Sequence, residues 1–275
     1  FIPSPRAEAE NAMQFSSGSL DDAALVSACQ ADPVLRRWLH RSWLDPRPLL
    51  EQSLVRPFVR YLVVDDLLLP ERLDELQESY ASLSVNPDYP DLNYDAEAVR
   101  IDRRTDLVGA ELFLHPLWHA WVAFALGASL HRPGHSVVRY RRHPPFSRGF
   151  WIHTDRDRRQ PKAAAVMLYL GRDWHFRDGG LLQLWEVSPL LHANTPLLRW
   201  DDYRERRLSF LEGAHTLQIE AAAIEELVPL QARLLEQIVP RRNRLVLLDF
   251  QAGPSYHSIT PTQERVREGV VQWLY

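Results

Sequence analysis

The pattern of apolar and polar positions divides the 275-residue chain into a helical first half and a strand-rich second half. In the first half, apolar residues recur at helical spacing within 20–43, 70–83 and 113–130. Pro33 and Pro70 stand where proline is tolerated best, in the first turn of a helix. This pattern predicts two successive helices in 20–43 and one helix in each of the other two segments.

Short apolar runs separated by Pro, Gly, Asp and Arg turns occupy the chain from His135 onward, after an earlier run of this kind at 58–68. The later runs are SVVRYRR, GFWIHTD, AAAVMLYL, GGLLQLWEV, RLVLLDF and GVVQWLY. Such spacing is typical of an antiparallel β-sandwich or barrel. Residues 187–240 interrupt it with a loop and a predicted helix at 219–239 that contains Pro229. Segments of this length are more often functional than idle, so we expect a substrate lid or a dimer element.

Composition limits the partners and the compartment. Hydrophobic residues make up 45% and charged residues 25% of the chain, and no long uncharged apolar run predicts a membrane span. The net charge of -4 disfavours a polyanion-binding surface, so we expect no nucleic-acid partner. A single cysteine, Cys29, and a start without a basic-then-apolar signal favour a reducing, cytoplasmic location.

The same counts narrow the chemistry. One cysteine cannot build a four-cysteine zinc site, so a metal must be held mainly by histidines and carboxylates. Lys162 is the only lysine among 32 basic residues, which argues against lysine Schiff-base chemistry.

Two histidines and one aspartate form the first candidate site. His153 and Asp155 stand two residues apart at the end of an apolar run, where strand geometry points both side chains to one face. His257 follows the apolar strand RLVLLDF. Each piece alone is a common coincidence, but together they make a facial triad that leaves three positions open on an octahedral metal. That set suits non-haem Fe(II), whereas zinc usually prefers four tetrahedral ligands.

Arg267 lies ten residues after His257, on the next predicted strand. A buried arginine beside a metal needs an anionic partner, and a dicarboxylate cosubstrate supplies one through bidentate pairing. The order H-x-D, apolar strands, His and Arg is much rarer by chance than any of its parts.

In this order the motifs resemble those of the 2-oxoglutarate- and Fe(II)-dependent dioxygenases, in their prolyl 4-hydroxylase-like branch. The resemblance covers roughly residues 58–275, with a gap at 187–240. It is carried by YLVVDDLLLPERLDEL, by RYRRHPPFSRGFWIHTD, by the hairpin AVMLYLGRDWHFRDGGLLQLWE and by RLVLLDF…H…R…W. Gly171 departs from the asparagine that the family usually has in the hairpin.

The resemblance implies a mainly β fold with flanking helices (α+β), with a double-stranded β-helix, or jelly-roll, core and outer helices. Residues 1–55 would be a helical N-terminal extension packed on the core. Residues 56–275 would be the oxygenase domain, with its insertion at about 187–240.

Carried over by position, the resemblance implies that His153, Asp155 and His257 are the catalytic iron ligands. It also implies that Fe(II), the cosubstrate 2-oxoglutarate and O2 take part in the reaction. With Asp155 in the carboxylate position, no site is left for a halide ligand, which favours hydroxylation over halogenation. Desaturation and ring formation remain open.

Three further residues would contact the cosubstrate. Arg267 would pair with the distal carboxylate of 2-oxoglutarate, and Tyr169 would donate a hydrogen bond to it. The six-residue step to Trp273 favours Arg267 over its competitor Arg265. Tyr140 would lie near the 1-carboxylate or the iron-bound water.

The implied activity is hydroxylation of a C–H bond in a peptidyl, amino-acid or natural-product substrate, with release of succinate and CO2. An arginine-rich approach favours an anionic or carrier-tethered small-molecule or peptidyl substrate; its members are Arg139, Arg141, Arg142, Arg156, Arg158 and Arg159. The alternatives are a cupin-type metalloenzyme that does not use 2-oxoglutarate and a non-catalytic jelly-roll binding protein. The sequence does not indicate the oligomeric state.

Overall fold

Helices come first along the chain and strands dominate from Ser136 onward. We describe the protein from a computed structural model, for residues 22–56, 59–87, 96–102, 107–132, 134–155, 162–188, 197–198, 230–253 and 255–275. The helices are α1 Asp22–Ala31, α2 Pro33–Trp38, α3 Arg47–Gln52, α4 Pro70–Ala81, α5 Ala110–Phe113 and α6 Pro116–Leu126. The strands are β1 Leu54–Arg56, β2 Val59–Val64, β3 Asn86–Pro87, β4 Glu97–Ile101, β5 Ser136–His143, β6 Phe150–His153, β7 Ala164–Tyr169, β8 Leu182–Ser188, β9 Leu197–Leu198, β10 Leu230–Ile238, β11 Leu245–Asp249, β12 His257–Ile259 and β13 Arg267–Leu274.

Local sequence signals explain where the helices begin and end. Pro33 opens α2, and the Asp32 carboxylate accepts a hydrogen bond from the Leu35 backbone N–H, which satisfies one of the free donors of the first turn. At the end of α6, Gly127 adopts a left-handed conformation with φ 62°, which glycine tolerates without steric cost.

Two antiparallel sheets form the core. The larger sheet has eight strands in the order β1-β2-β11-β7-β13-β5-β4-β3, and the smaller has five in the order β6-β12-β8-β10-β9. Strands β6 and β12 are neighbours in the smaller sheet, and strands β13 and β7 are neighbours in the larger sheet. Together with the helices, this arrangement confirms the expected mainly β, jelly-roll class of fold.

The larger sheet has two buried faces. Its outer face packs against the helices, and its buried members include Val138, Tyr140, Val166, Leu168, Val270 and Leu274. Its inner face packs against the smaller sheet in a separate cluster that includes Ala165, Met167, Tyr169, Leu184 and Trp273. Because side chains alternate along a strand, the central strands β2, β7, β11 and β13 contribute to both clusters.

The N-terminal helices contribute to the outer cluster. Leu25, Cys29, Leu35 and Trp38 are buried in the same cluster as Leu62 of β2. Burial raises the pKa of the Cys29 thiol to about 12, so this cysteine stays a protonated packing residue. None of the helices in the described part of the chain is long and apolar enough to cross a membrane.

The helix expected at 219–239 is wrong over its described portion, because Leu230–Ile238 is strand β10. Pro229 directly precedes the strand, and proline ends a helix more readily than it continues one. The edge of β8 offers β10 an antiparallel ladder, reinforced by an ion pair between Arg233 and Glu186. These tertiary interactions outweigh the helix propensity of a Leu-, Glu- and Gln-rich segment.

Sheet pairing therefore resumes within the expected insertion at 187–240, well before its end. The rest of that segment, 189–196 and 199–229, lies outside the described residues, and so does the predicted lid or dimer element.

Candidate metal centre

Two neighbouring strands of the smaller sheet bring the candidate histidines together. His153 ends β6, His257 begins β12, and the two residues are direct partners in the antiparallel ladder. Their rings are 4.2 Å apart between centroids and inclined by 52°. Asp155 lies two residues after the end of β6, and its carboxylate lies beside the two histidine rings.

The three side chains converge on one point. The Nε2 atom of His153 lies 3.9 Å from Oδ1 of Asp155, and Nε2 of His257 lies 3.8 Å from Oδ2. One ligand atom from each residue falls within 4.8 Å of the other two, a spacing that can hold a metal ion. Two imidazoles and one carboxylate on one side of the ion would leave the other positions open, which is the ligand set of non-haem Fe(II) sites.

Trp273 fixes the orientation of the carboxylate. The indole Nε1 of Trp273 donates a hydrogen bond of 2.7 Å to Oδ2 of Asp155. Burial alone would raise the pKa of Asp155, but His153, His257, Lys162 and this hydrogen bond hold the pKa well below its usual value. Asp155 is therefore ionised and ready to bind a cation.

His257 is held in the tautomer that suits a ligand. Its Nδ1 atom is 2.9 Å from the carbonyl oxygen of Ser255, which requires Nδ1 to carry the proton and leaves the Nε2 lone pair facing Asp155. Burial lowers the pKa of His257, against the opposing effects of Asp155 and the Ser255 carbonyl. A neutral imidazole is the form that binds metals.

Arg267 and Tyr169 lie together on the inner face. Arg267 begins β13 and is only 5% exposed, and its guanidinium carbon lies 5.0 Å from the centre of the Tyr169 ring. Among the described residues, the Tyr169 hydroxyl and the Arg267 Nε have no partner with hydrogen-bond geometry. Burial raises the pKa of Tyr169, although the Arg267 charge opposes the shift, so the hydroxyl keeps its proton for donation. The buried Arg267 cation and the Tyr169 hydroxyl donor together suit an anionic ligand such as a carboxylate.

A glycine makes room for Arg267. Gly180 has a φ of 60°, and a Cβ atom at this position would lie 2.7 Å from Cδ of Arg267. The turn at Gly179 and Gly180, which the hairpin motif contains, thus passes close against the arginine side chain.

The inner face of β5 carries Arg141, a member of the predicted arginine-rich approach, and His143, whose place beside Arg267 no sequence motif indicated. His143 is opposite Arg267 in the ladder, and Arg141 is opposite Gly269, whose other neighbour is Tyr169. His143 is fully buried, and burial followed by the charges of Arg267 and Arg141 lowers its pKa well below the usual value. Only the register of β5 on β13 reveals these neighbours, since His143 stands ten residues before His153 with no motif of its own.

Tyr140 does not fit its predicted role near the metal or the cosubstrate. It points to the outer face, where its hydroxyl donates a 2.7 Å hydrogen bond to Glu268 and its ring lies 4.8 Å from that of Tyr80. The residues one position away on either side, Arg139 and Arg141, face inward instead. A strand reverses its face at every residue, so a shift of one position was enough to misplace this side chain.

Other sequence candidates lie elsewhere. Arg265 is exposed and its guanidinium donates to the backbone carbonyl of Arg172, so it does not compete with Arg267. Arg142 pairs with Glu97 at 2.7 Å. Three members of the arginine-rich approach lie outside the described residues: Arg156, Arg158 and Arg159.

Comparison with solved structures identifies the class of fold. No family model matches the chain, and no curated protein is significantly similar to it in sequence. The solved structures to which the chain is similar include prolyl hydroxylases and other 2-oxoglutarate- and Fe(II)-dependent oxygenases. The predicted resemblance to this class is thus confirmed at the level of the fold.

Three of these structures extend over most of the chain. A prolyl hydroxylase from Trichoplax adhaerens, in complex with a hypoxia inducible factor peptide fragment, has a TM-score of 0.50 and 12% identity over 100% of this chain and 94% of its own. HygX from Streptomyces hygroscopicus, with nickel, 2-oxoglutarate and hygromycin B bound, has a TM-score of 0.50 and 13% identity over 86% and 87%. The epimerase SnoN from nogalamycin biosynthesis, with Fe3+, alpha ketoglutarate and nogalamycin RO, has a TM-score of 0.51 and 12% identity over 83% and 84%.

Proposed function

We propose that the protein is an Fe(II)- and 2-oxoglutarate-dependent oxygenase that hydroxylates a C–H bond of a peptidyl, amino-acid or natural-product substrate. The observation that carries the proposal is the convergence of His153, Asp155 and His257 beside the inner face of the larger sheet, which carries Arg267, Tyr169 and the Trp273 that binds Asp155. The folds of the similar oxygenases agree with it, because their structures contain a metal and 2-oxoglutarate.

The iron centre with its cosubstrate and O2 would supply an oxidative decarboxylation, yielding succinate and CO2, and the oxidant that attacks the C–H bond. His153 and His257 would offer neutral imidazole nitrogens to the metal, and Asp155 an ionised carboxylate. Trp273 would keep Asp155 from rotating, because its N–H holds one of the two carboxylate oxygens.

The second half of the site would bind the cosubstrate. Arg267 would form a charge-assisted pair with the distal carboxylate of 2-oxoglutarate, and the Tyr169 hydroxyl would donate to the same group. Binding there would satisfy the Tyr169 hydroxyl and the Arg267 Nε, which have no hydrogen-bond partner in the part of the chain that the structure describes. Burial by the surrounding strands would exclude water and strengthen the pair.

An anaerobic absorbance titration tests this proposal. Metal-free protein receives Fe(II) and then 2-oxoglutarate, and we expect a visible charge-transfer band that requires both additions. Under air, the same mixture should release succinate from 2-oxoglutarate, with faster release when a substrate is present.

Two results would overturn the proposal. Tight iron binding without a band or succinate would favour a cupin-type metalloenzyme that does not use 2-oxoglutarate. Failure to bind iron at all would leave a non-catalytic jelly-roll binding protein.

A further inference from the structure

The only lysine of the chain lies beside the candidate metal centre. The Nζ of Lys162 is 4.0 Å from Oδ1 of Asp155 and 5.3 Å from the centre of the Trp273 ring. The Lys162 side chain is only 19% exposed, and a partly buried ammonium group needs partners that offset its lost hydration. A carboxylate and the face of an indole ring are both partners of this kind.

Lys162 and Trp273 act on different oxygens of the same carboxylate. The indole N–H of Trp273 donates a 2.7 Å hydrogen bond to Oδ2 of Asp155, whereas Lys162 lies closest to Oδ1. The same two oxygens face the histidines, because Oδ2 is 3.8 Å from Nε2 of His257 and Oδ1 is 3.9 Å from Nε2 of His153. A metal held by the triad would therefore share the Asp155 carboxylate with an ammonium group.

The larger sheet fixes the backbone next to Lys162. The Ala163 N–H donates a 2.7 Å hydrogen bond to the Leu274 carbonyl, and the Ala163 carbonyl accepts one of 3.0 Å from the Phe250 N–H. Leu274 directly follows Trp273 on β13, so the lysine and the indole are attached to neighbouring points of one sheet. The place of Lys162 beside the metal centre is therefore set by the fold.

The charge balance of this site changes when a metal binds. In the free protein, the ionised Asp155 and the ammonium group of Lys162 offset each other. A divalent metal at the triad would leave an excess of positive charge, and Lys162 would add to that excess. Burial strengthens such interactions, so the lysine would repel the metal and attract an anion bound to it.

We propose that Lys162 is a positioning residue that acts on the metal through Asp155. Its charge weakens the binding of the metal alone, because the ammonium group competes for the carboxylate. The same charge strengthens the binding of an anionic ligand to the metal-loaded centre. Taking that ligand to be 2-oxoglutarate rests on the proposed oxygenase function. Lys162 thereby favours a metal that is bound together with its cosubstrate over a metal that is bound alone.

Substitution of Lys162 tests the proposal, because the two binding steps should change in opposite directions. Lys162→Met keeps a side chain of similar length without the charge. We expect its affinity for Ni(II), measured by competition with a chelator in the absence of cosubstrate, to rise by about five-fold. The affinity of the nickel-loaded variant for 2-oxoglutarate, measured by calorimetric titration, should fall by about five-fold.

Two further variants serve as controls. Lys162→Arg keeps the charge and should return both affinities toward the wild-type values. Arg177→Met removes a positive charge at an exposed position away from the triad and should change neither affinity.

A purely structural role of Lys162 would instead weaken both binding steps in Lys162→Met. An affinity for Ni(II) that is equal or lower in Lys162→Met, or an affinity for 2-oxoglutarate that does not fall, would overturn the proposal. Failure of the nickel-loaded wild type to bind 2-oxoglutarate would overturn the oxygenase function. In that case the Ni(II) affinities of the wild type, Lys162→Met and Lys162→Arg would still decide whether the lysine acts on the metal.

Discussion

On β13, residues that face the helices alternate with residues that face the smaller sheet, and the two sets satisfy their polar groups differently. On the outer face, Gln272 accepts a 2.8 Å hydrogen bond from the Trp118 indole and donates one of 2.6 Å to the Phe113 carbonyl. Glu268, on the same face, accepts from Tyr140. Each of these bonds ties the sheet to itself or to a helix, so the outer face stabilises the fold.

The polar groups of the inner face are not used to hold the sheet to the helices. Trp273 is bonded to a candidate metal ligand, while the Tyr169 hydroxyl and the Arg267 Nε lack partners among the described residues. A buried polar group without a partner costs about 1–3 kcal/mol, and a ligand that supplies the partner removes that cost. Substitutions on β13 should therefore separate into two kinds, those that lower the stability of the fold and those that lower the affinity for a ligand.

The largest effect is expected at an inner-face histidine. His257→Ala removes one of three metal ligands, and loss of even a supporting contact around a metal costs about 10–100-fold in affinity. We therefore expect the affinity for Fe(II) or Ni(II) to fall by more than about 100-fold, measured by competition with a chelator. The fold should persist, as judged by circular dichroism.

Helix α6, which packs on the outer face, offers a matched histidine. His119 is also buried, and its Nε2 lies 2.8 Å from the Phe113 carbonyl oxygen. His119→Ala should lower the free energy of unfolding by about 1–3 kcal/mol and leave metal affinity unchanged. Equal metal affinity in His257→Ala and wild type would contradict the division between the faces.

The second prediction uses two neighbouring residues of β13. Truncating one partner of a buried charge pair costs about 2–5 kcal/mol, so Arg267→Gln should weaken 2-oxoglutarate binding to the nickel-loaded protein by roughly thirty-fold or more. Glu268→Gln, one residue away on the outer face, should leave that affinity unchanged. Isothermal titration of both variants decides the matter, and a loss of affinity confined to Glu268→Gln would contradict the assigned faces.

Most of the strands and the three candidate metal ligands could be predicted from the sequence. The apolar runs predicted the strands that carry His153 and Arg267, because a buried strand needs a continuous apolar run and its ends show turn residues. The short strand β12 that begins at His257 was not predicted, since the motif placed His257 after the strand RLVLLDF. The structure brings the three triad residues together as the H-x-D and His motifs predicted. Segment β10 was misread because its helix propensity is real and its pairing with β8 is tertiary.

The positions of Arg141 and Lys162 on the inner side of the larger sheet could not be predicted in this way. Whether Tyr140 or Arg141 faces the metal depends on the register of β5 against β13, and a slip of one residue exchanges the faces. A loop with turn residues separates β5 from β6, so counting back from His153 does not fix that register. The contact between Lys162 and Asp155 likewise depends on the tertiary structure, and no sequence motif predicts it.

The third prediction concerns stability alone. Gln272→Leu keeps a similar volume but leaves the buried Trp118 N–H without its present partner and removes one of the contacts of the Phe113 carbonyl, which keeps His119. We expect the free energy of unfolding to fall by about 2–3 kcal/mol in a denaturant titration. Affinities for metal and 2-oxoglutarate should match the wild type, and a loss of either at unchanged stability would contradict an outer-face role for Gln272.

The smallest effect is expected at the tyrosine that the sequence placed wrongly. Tyr140→Phe removes a hydrogen bond to the Glu268 carboxylate, which is partly exposed and can gain water in its place. The free energy of unfolding should therefore fall by only about 1–2 kcal/mol. Binding of 2-oxoglutarate should not change, because the hydroxyl lies on the far side of the sheet from Arg267.

Tyr169→Phe is the inner-face counterpart and should behave in the opposite way. Its hydroxyl has no partner in the described part of the free protein, so removing it should not lower stability. It should weaken 2-oxoglutarate binding by roughly ten-fold, the effect of losing one hydrogen bond to a charged group. If Tyr140→Phe lost affinity while Tyr169→Phe lost only stability, the two faces of the sheet would have to be exchanged, and the cosubstrate site with them.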